Sequence, residues 1–135
     1  AFQAAETLAG EDIYVTVVDA RFARPLDEDM LTTALTRGRP VVTIEDHSVA
    51  GGFGSAVLEA ANRLGLPTDG IIRLGHAADR FYRQGSRAGQ LAEAGLDAAG
   101  IAETVRRAVR AARGPAAPAV DSVQPATRTR DATPR

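Results

Sequence analysis

The sequence predicts an α/β fold, with three layers and helices on both faces of a mostly parallel sheet, and two observations carry that prediction. Short, β-branched and nearly continuous apolar runs at residues 13–19 (IYVTVVD), 41–45 (VVTIE) and 71–74 (IIRL) lack the alternation of a half-solvated strand. Such runs read as strands covered on both sides, as in parallel sheets. The segments between and after them carry apolar residues at helical spacing, so strand and helix alternate as in right-handed βαβ units. The chain has 135 residues, 44% hydrophobic and 24% charged, which is one domain's worth of ordinary globular sequence.

Residues 1–9 (AFQAAETLA) place Phe2, Ala5 and Leu8 on one helical face, with Gly10 positioned to end the helix. No Ser, Thr, Asp or Asn precedes this segment as an N-cap, so the helix is expected to have lost the element before it. The run 13–19 follows as the first visible strand. Pro25 closes the next loop, and Asp27 is suited to cap a helix burying Met30, Leu31, Ala34 and Leu35 before Gly38. Pro40 leads into the strand 41–45. A glycine-rich turn, 51–54, then opens a helix with Val57, Ala60, Ala61 and Leu64 on its inner side, stopped by Gly65 and Pro67. The strand 71–74 comes next. Ser86 and Asp97 are N-cap candidates for two more helices, the second with Ile101, Val105, Ala108, Val109 and Ala112 along one stripe. Gly114 and Pro115 end it. Residues 114–135 are mostly Pro, Ala, Thr, Arg and Asp without apolar periodicity, and are expected to be a disordered tail after a domain at 1–113.

Composition removes several classes of function. With no cysteine, disulfides, thiolate catalysis and zinc–thiolate sites are excluded. The net charge of −1 gives no electrostatic reason to expect nucleic acid or an anionic membrane as partner. No stretch approaches the roughly 20 apolar residues of a membrane span, and no basic start precedes an apolar core. A cytoplasmic setting is the default expectation. All sixteen cationic side chains are arginine, which reads as the composition of a GC-rich genome.

The sharpest local feature is TIEDHSVAGGFGSAV, from Thr43 to Val57. A strand running into a glycine-rich turn and then a helix is a usual way to hold phosphate on free backbone amides. The details do not match a nucleotide site. The dinucleotide pattern needs a third small residue where Val57 stands, and the phosphate-loop pattern needs a lysine. The plainer reading is that Gly51, Gly52 and Gly54 let the backbone turn and the helix pack close to the sheet. Glu45, Asp46 and His47 form an acid–acid–imidazole run at the C-terminal end of a strand, where open α/β sheets place ligand sites. Neighbouring strand residues point in divergent directions, so a solvated or interface-facing loop is the simpler account. His76 stands alone. Arg73, Arg80, Arg83 and Arg87 surround the loop 75–86; they could gather around an anion or pair with acids of a partner surface, though a surface with scattered arginines is the plainer reading. Ser55 and Ser86 read as helix-start residues, since neither sits in a nucleophile elbow. No catalytic or metal-binding constellation emerges. The candidate interface or anion-binding residues are Glu45, His47, Gly51, Gly52, Phe53, Gly54, Ser55 and Arg80.

Four blocks in series resemble the C-terminal domain of the 1-deoxy-D-xylulose-5-phosphate synthase family, within the transketolase superfamily. VTVVDARFARPLDEDML (15–31) resembles its "V-D-A-R-F … P-L-D" signature, and VVTIEDHSVAGGFGSAVLE (41–59) its strand end and glycine-rich turn. LGHAADRFYRQGSR (74–87) is similar to its "L-G-x-x-D-R-F … G-S-R" block, and LAEAGLDAAGI (91–101) to its closing helix. The likeness runs over residues 1 to about 112. Single blocks are shared with transketolases and 2-oxoacid dehydrogenase β subunits, but four in order favour the synthase. The segment Gly75-His76-Ala77-Ala78-Asp79 is one residue longer than the family's usual form.

What the resemblance implies is indirect. The family's first strand of this domain falls before Ala1, and so do the domains that bind thiamine diphosphate and Mg2+ and supply the catalytic glutamate. This chain alone is therefore expected to bind no cofactor and to catalyse nothing. Its expected partners are the cofactor-binding domains of the same enzyme, in a homodimer. The parent reaction condenses pyruvate with glyceraldehyde 3-phosphate, releasing carbon dioxide, toward isoprenoids and thiamine. The turn 51–55 would face the rest of the enzyme, with Arg21 and Phe22 on the same side. Two alternatives stay open: a free-standing module binding a small phosphorylated ligand at the glycine turn, and a degenerate inactive fragment.

Overall fold

The computed structural model describes residues 1–114, so the expected tail lies outside the described residues except for Gly114. Five helices and two strands follow the order α1 (Phe2–Ala9), α2 (Glu28–Leu35), β1 (Val41–Ser48), α3 (Phe53–Arg63), β2 (Ile71–His76), α4 (Arg87–Glu93) and α5 (Ala98–Arg113). The two strands pair in parallel, with Val41 opposite Ile71 and Ile44 opposite Leu74 before the register shifts toward Ser48 and His76.

Helix boundaries follow local chemistry. The Asp27 carboxylate accepts from the Met30 N–H at 2.9 Å, Ser86 Oγ from Gly89 N–H at 3.2 Å and the Asp97 carboxylate from Gly100 N–H at 2.8 Å. Each satisfies a donor that the first turn leaves without an intrahelical partner. At the other ends, Gly38 follows α2 and Gly65 follows α3, both with positive φ, which glycine adopts without Cβ strain.

Strand alternation sorts the side chains onto two faces. On one, α3 covers the sheet and α2 packs on α3, so that Leu31, Leu35, Val57, Ala60 and Ala61 form a buried cluster reaching Val41 and Ile71. On the other, α1 packs against α5 and buries Ala4, Leu8, Ile101 and Ala102 beside Leu74. The result is the expected layering, helices on both faces of a parallel sheet. Close approach of α3 depends on Gly54: a Cβ there would stand 2.7 Å from Thr43 Oγ1 and 2.8 Å from Arg73 Cγ.

Several expectations fail, among them Leu64 at the end of α3 and Ala112 in α5, both expected inward and both exposed. The run 13–19 is not a strand: it joins no ladder among the described residues, and Tyr14, Val15 and Val18 are exposed. Its composition fits a covered strand, yet a strand forms only where a neighbour supplies the ladder, and among the described residues none does. Phe2 is also misplaced. The buried face of α1 is Ala4 and Leu8, with Phe2 in solvent.

Candidate functional site

The C-terminal end of β1 divides its charged run between the two faces of the sheet. Glu45 points to the α3 side and is 8% exposed. Its carboxylate accepts from the Phe53 N–H at 2.6 Å and from the Gly54 N–H at 2.9 Å, so one strand residue caps the helix that follows it. A carboxylate there meets both the unpaired amides and the positive end of the helix dipole. Gly52 leaves the space this requires, since a Cβ on it would overlap Glu45 Oε2. Gly51 adopts φ of +73°, which turns the chain back toward α3. Ser55 ties the same turn together: its Oγ donates to the Val49 carbonyl at 2.9 Å and accepts from Gly51 N–H at 3.1 Å and Arg73 Nη1 at 3.0 Å. Arg73 also donates to the Val49 carbonyl at 3.1 Å.

Glu45, His47, Gly51, Gly52 and Phe53 line one concavity of about 480 Å³, with Ala23, Arg24 and Ala56 completing its wall. Five of the eight predicted residues thus come together. Gly54 and Ser55 lie just behind it in α3. Arg80 does not join them: it pairs with Glu93 at 3.0 Å and sits 5.3 Å from the centre of the Tyr82 ring. His47 makes one weak contact, Nδ1 lying 3.3 Å from the Ser48 carbonyl oxygen. The four arginines near the 75–86 loop do not converge on a shared anion position. Arg73 serves the glycine turn, Arg80 pairs with Glu93, Arg87 pairs with Asp46, and the Arg83 N–H donates to Glu93 at 3.4 Å.

On the opposite face, Asp46 organises a second group that the sequence did not single out. Its carboxylate lies 2.9 Å from His76 Nε2 and 2.5 Å from Arg87 Nη2. The His76 hydrogen bond, then the Arg87 hydrogen bond and charge, hold the Asp46 carboxyl below the usual carboxylate range. His76 meets the Tyr82 ring edge-on at 4.7 Å, and Tyr82 Oη accepts from the Ala77 N–H at 3.0 Å. These contacts pin the start of α4 and the loop before it to the strand ends. The only sequence signal was the register itself, since i and i+1 on a strand must face opposite sides.

Neither group offers chemistry at a reacting atom. Among the described residues, no three His, Asp or Glu side chains stand close enough to hold a metal ion. No helix of the described residues is long and apolar enough to cross a membrane. A phosphate or diphosphate on the glycine turn would have to displace Glu45 from the amides it already occupies. The residues present therefore do not fit thiamine diphosphate at this turn.

A parallel sheet between helix pairs, with a glycine-rich turn capped from the preceding strand, defines a C-terminal domain of the transketolase type. Residues 1–101 match the family model described as "Transketolase, C-terminal domain", and the chain belongs to that family. Its relatives include the 1-deoxy-D-xylulose-5-phosphate synthase of Anaeromyxobacter sp. (strain Fw109-5), 48% identical over 120 residues, covering 86% of this chain and 19% of that protein. The 1-deoxy-D-xylulose-5-phosphate synthase 1 of Geobacter sulfurreducens is 44% identical over 124 residues, covering 92% of this chain and 19% of its own length. The chain thus spans about a fifth of the length of these relatives, and the matched part is their C-terminal region. A solved structure titled "Split gene transketolase, inactive beta4 tetramer" superposes with a TM-score of 0.69 at 30% identity, over 80% of this chain and 34% of that one.

Proposed function

We propose that this chain is the C-terminal assembly domain of a thiamine-diphosphate-dependent 1-deoxy-D-xylulose-5-phosphate synthase, active only together with the cofactor-binding domains and within a homodimer. The observation that carries this reading is the concavity at the C-terminal end of β1. Its glycine turn is held rigid from inside by Glu45 and Ser55, and it presents His47, Gly51, Gly52 and Phe53 beside Arg24 rather than offering free amides to a ligand. A preorganised, internally satisfied turn suits packing against another protein surface. Phe22, 65% exposed on the loop that flanks this wall, extends the same face with an apolar side chain. Chemistry on pyruvate and glyceraldehyde 3-phosphate would remain with the other domains, in the cytoplasm.

The test is reconstitution. The Anaeromyxobacter sp. (strain Fw109-5) synthase, shortened by the residues that align with this chain, is mixed with the 135-residue chain, and 1-deoxy-D-xylulose 5-phosphate formation is followed. Activity is expected from the mixture and from neither component, and Phe22→Asp should reduce it at least tenfold without changing the melting temperature of the isolated chain. Synthase activity in this chain alone, or none in the mixture, would overturn the reading.

A further inference from the structure

We infer that residues 77–94 form a strap, which lifts from the rest of the domain as one unit and is held down by a latch centred on Asp46. The strap adds nothing to the interior. Every residue from 77 to 94 is exposed or half-buried, and none belongs to either buried cluster. Helix α4 buries no residue and shares at most marginal contact with any other helix or strand. Segments with so few buried apolar contacts open at a lower free energy than the core.

Contacts inside the segment make it a unit. The Arg80 guanidinium and the Arg83 N–H both bind the Glu93 carboxylate, at 3.0 and 3.4 Å, which ties the loop to the far end of α4. The Gln90 side-chain amide donates to the Arg83 carbonyl at 3.2 Å, and Tyr82 Oη closes the start of the loop on the Ala77 N–H. Attachment to the sheet passes instead through two side chains at the strand ends. Asp46 takes His76 on one carboxylate oxygen and Arg87, the first residue of α4, on the other. His76 is anchored by its own carbonyl, which accepts from the Val49 N–H at 3.0 Å, and it carries the Tyr82 ring edge-on. Asp46 therefore joins strap to sheet directly through Arg87 and indirectly through His76 and Tyr82. The Arg87 side chain is 76% exposed, so water screens its pair and the latch opens readily. Gly95 follows the strap with φ of +70° and open space where a Cβ would stand, as a hinge requires. A helix of 7 residues lifted from the body is marginal in water, so each opening exposes its amides. Phe81, fully exposed on the strap, travels with it, and the latch sets where that apolar side chain stands.

Native-state hydrogen exchange on the 135-residue chain gives the test, with urea added below the unfolding transition. Amides of residues 90–94 should exchange at least about 100-fold faster than the slowest amides of α3 and α5, yet at least about tenfold slower than those of an unstructured chain. Their rates should respond little to urea, because lifting the strap exposes little surface, whereas those of α3 and α5 should rise steeply. Arg87→Gln should speed exchange at 90–94 about threefold, as loss of an exposed ion pair does, and Asp46→Ala about tenfold. The double variant should stay close to Asp46→Ala alone, because both changes act at one latch. Exchange at 90–94 with the rate and urea slope of α5 would place these residues in the main cooperative unit and overturn the inference. Rates that neither substitution changes would overturn it too, as would rates in the parent as fast as an unstructured chain's. If Asp46→Ala unfolds the chain, Arg87→Gln, at an exposed position, decides alone. Each of these outcomes leaves the proposed function standing.

Discussion

Replacing Glu45 should unfasten α3 from the sheet more than any other single polar change in the molecule. The carboxylate accepts two hydrogen bonds, from Phe53 at 2.6 Å and Gly54 at 2.9 Å, and the second donor is buried. Hydrogen bonds to a charged group contribute about 1.5–3 kcal/mol each, and a buried donor left unpaired costs about 1–3 kcal/mol. The half-buried Phe53 amide recovers part of its loss from water, so Glu45→Ala should destabilise by about 3 kcal/mol. Glu45→Gln keeps one acceptor and loses the charge, which halves the effect to about 1.5 kcal/mol. With a urea m-value of about 1.5 kcal/mol per M, these losses move the unfolding midpoint down by about 2 M and 1 M. Circular dichroism at 222 nm follows the transition, which suits a chain without tryptophan. A Glu45→Ala midpoint within about 0.3 M of the parent would refute the capping argument, and so would Gln destabilising as much as Ala.

Thr43 is buried and its Oγ1 has no partner among the described residues. Thr43→Val keeps the shape and removes the orphan hydroxyl, so stability should rise by about 1 kcal/mol and the melting temperature by about 4 °C; a lower melting temperature would show that the hydroxyl is bonded. At Asp46, His76 and Arg87 favour the ionised carboxyl in the folded state. Its contribution is therefore present above the unfolded carboxylate range, near pH 4, and is lost as pH falls through the still lower native value. Asp46→Asn should lower stability at pH 7 and make the acid limb of a melting-temperature profile shallower, and a limb as steep as the parent's would refute the assignment.

Much of this fold was legible because its signals are local. Asp27, Ser86 and Asp97 start helices by bonding an amide three residues on, and that spacing is written in the chain. The periodicity of α5 and the apolar runs of β1 and β2 follow equally from short windows. The segment 13–19 was read correctly for what it is made of and incorrectly for what it does, because ladder partners are not a local property. Phe2 was assigned inward on helical phase alone, whereas the structure buries Ala4 and Leu8 and leaves Phe2 in solvent. At the site, the glycines marked the turn, but Glu45 reaching forward eight residues to cap α3 was read as part of an exposed acid run. The pairing of Asp46 with His76 spans thirty residues and depends on parallel register, which no spacing in the sequence displays. Arg80 was named beside the turn as an interface or anion-binding candidate, and the structure gives it Glu93 and Tyr82.

Glu45 has a consequence beyond rigidity. A carboxylate attached to the adjoining strand faces the amides of Phe53 and Gly54 at an effective concentration in the millimolar range or higher, as tethered groups do. Dissolved phosphates and sugar phosphates must compete against that resident anion and against the buried geometry that aims it. The helix start is thereby insulated from the ionic composition of its surroundings, and the shape of the turn does not vary with metabolite levels. A surface whose form is independent of the small anions around it can hold a protein contact steady while an enzyme's phosphorylated substrates rise and fall.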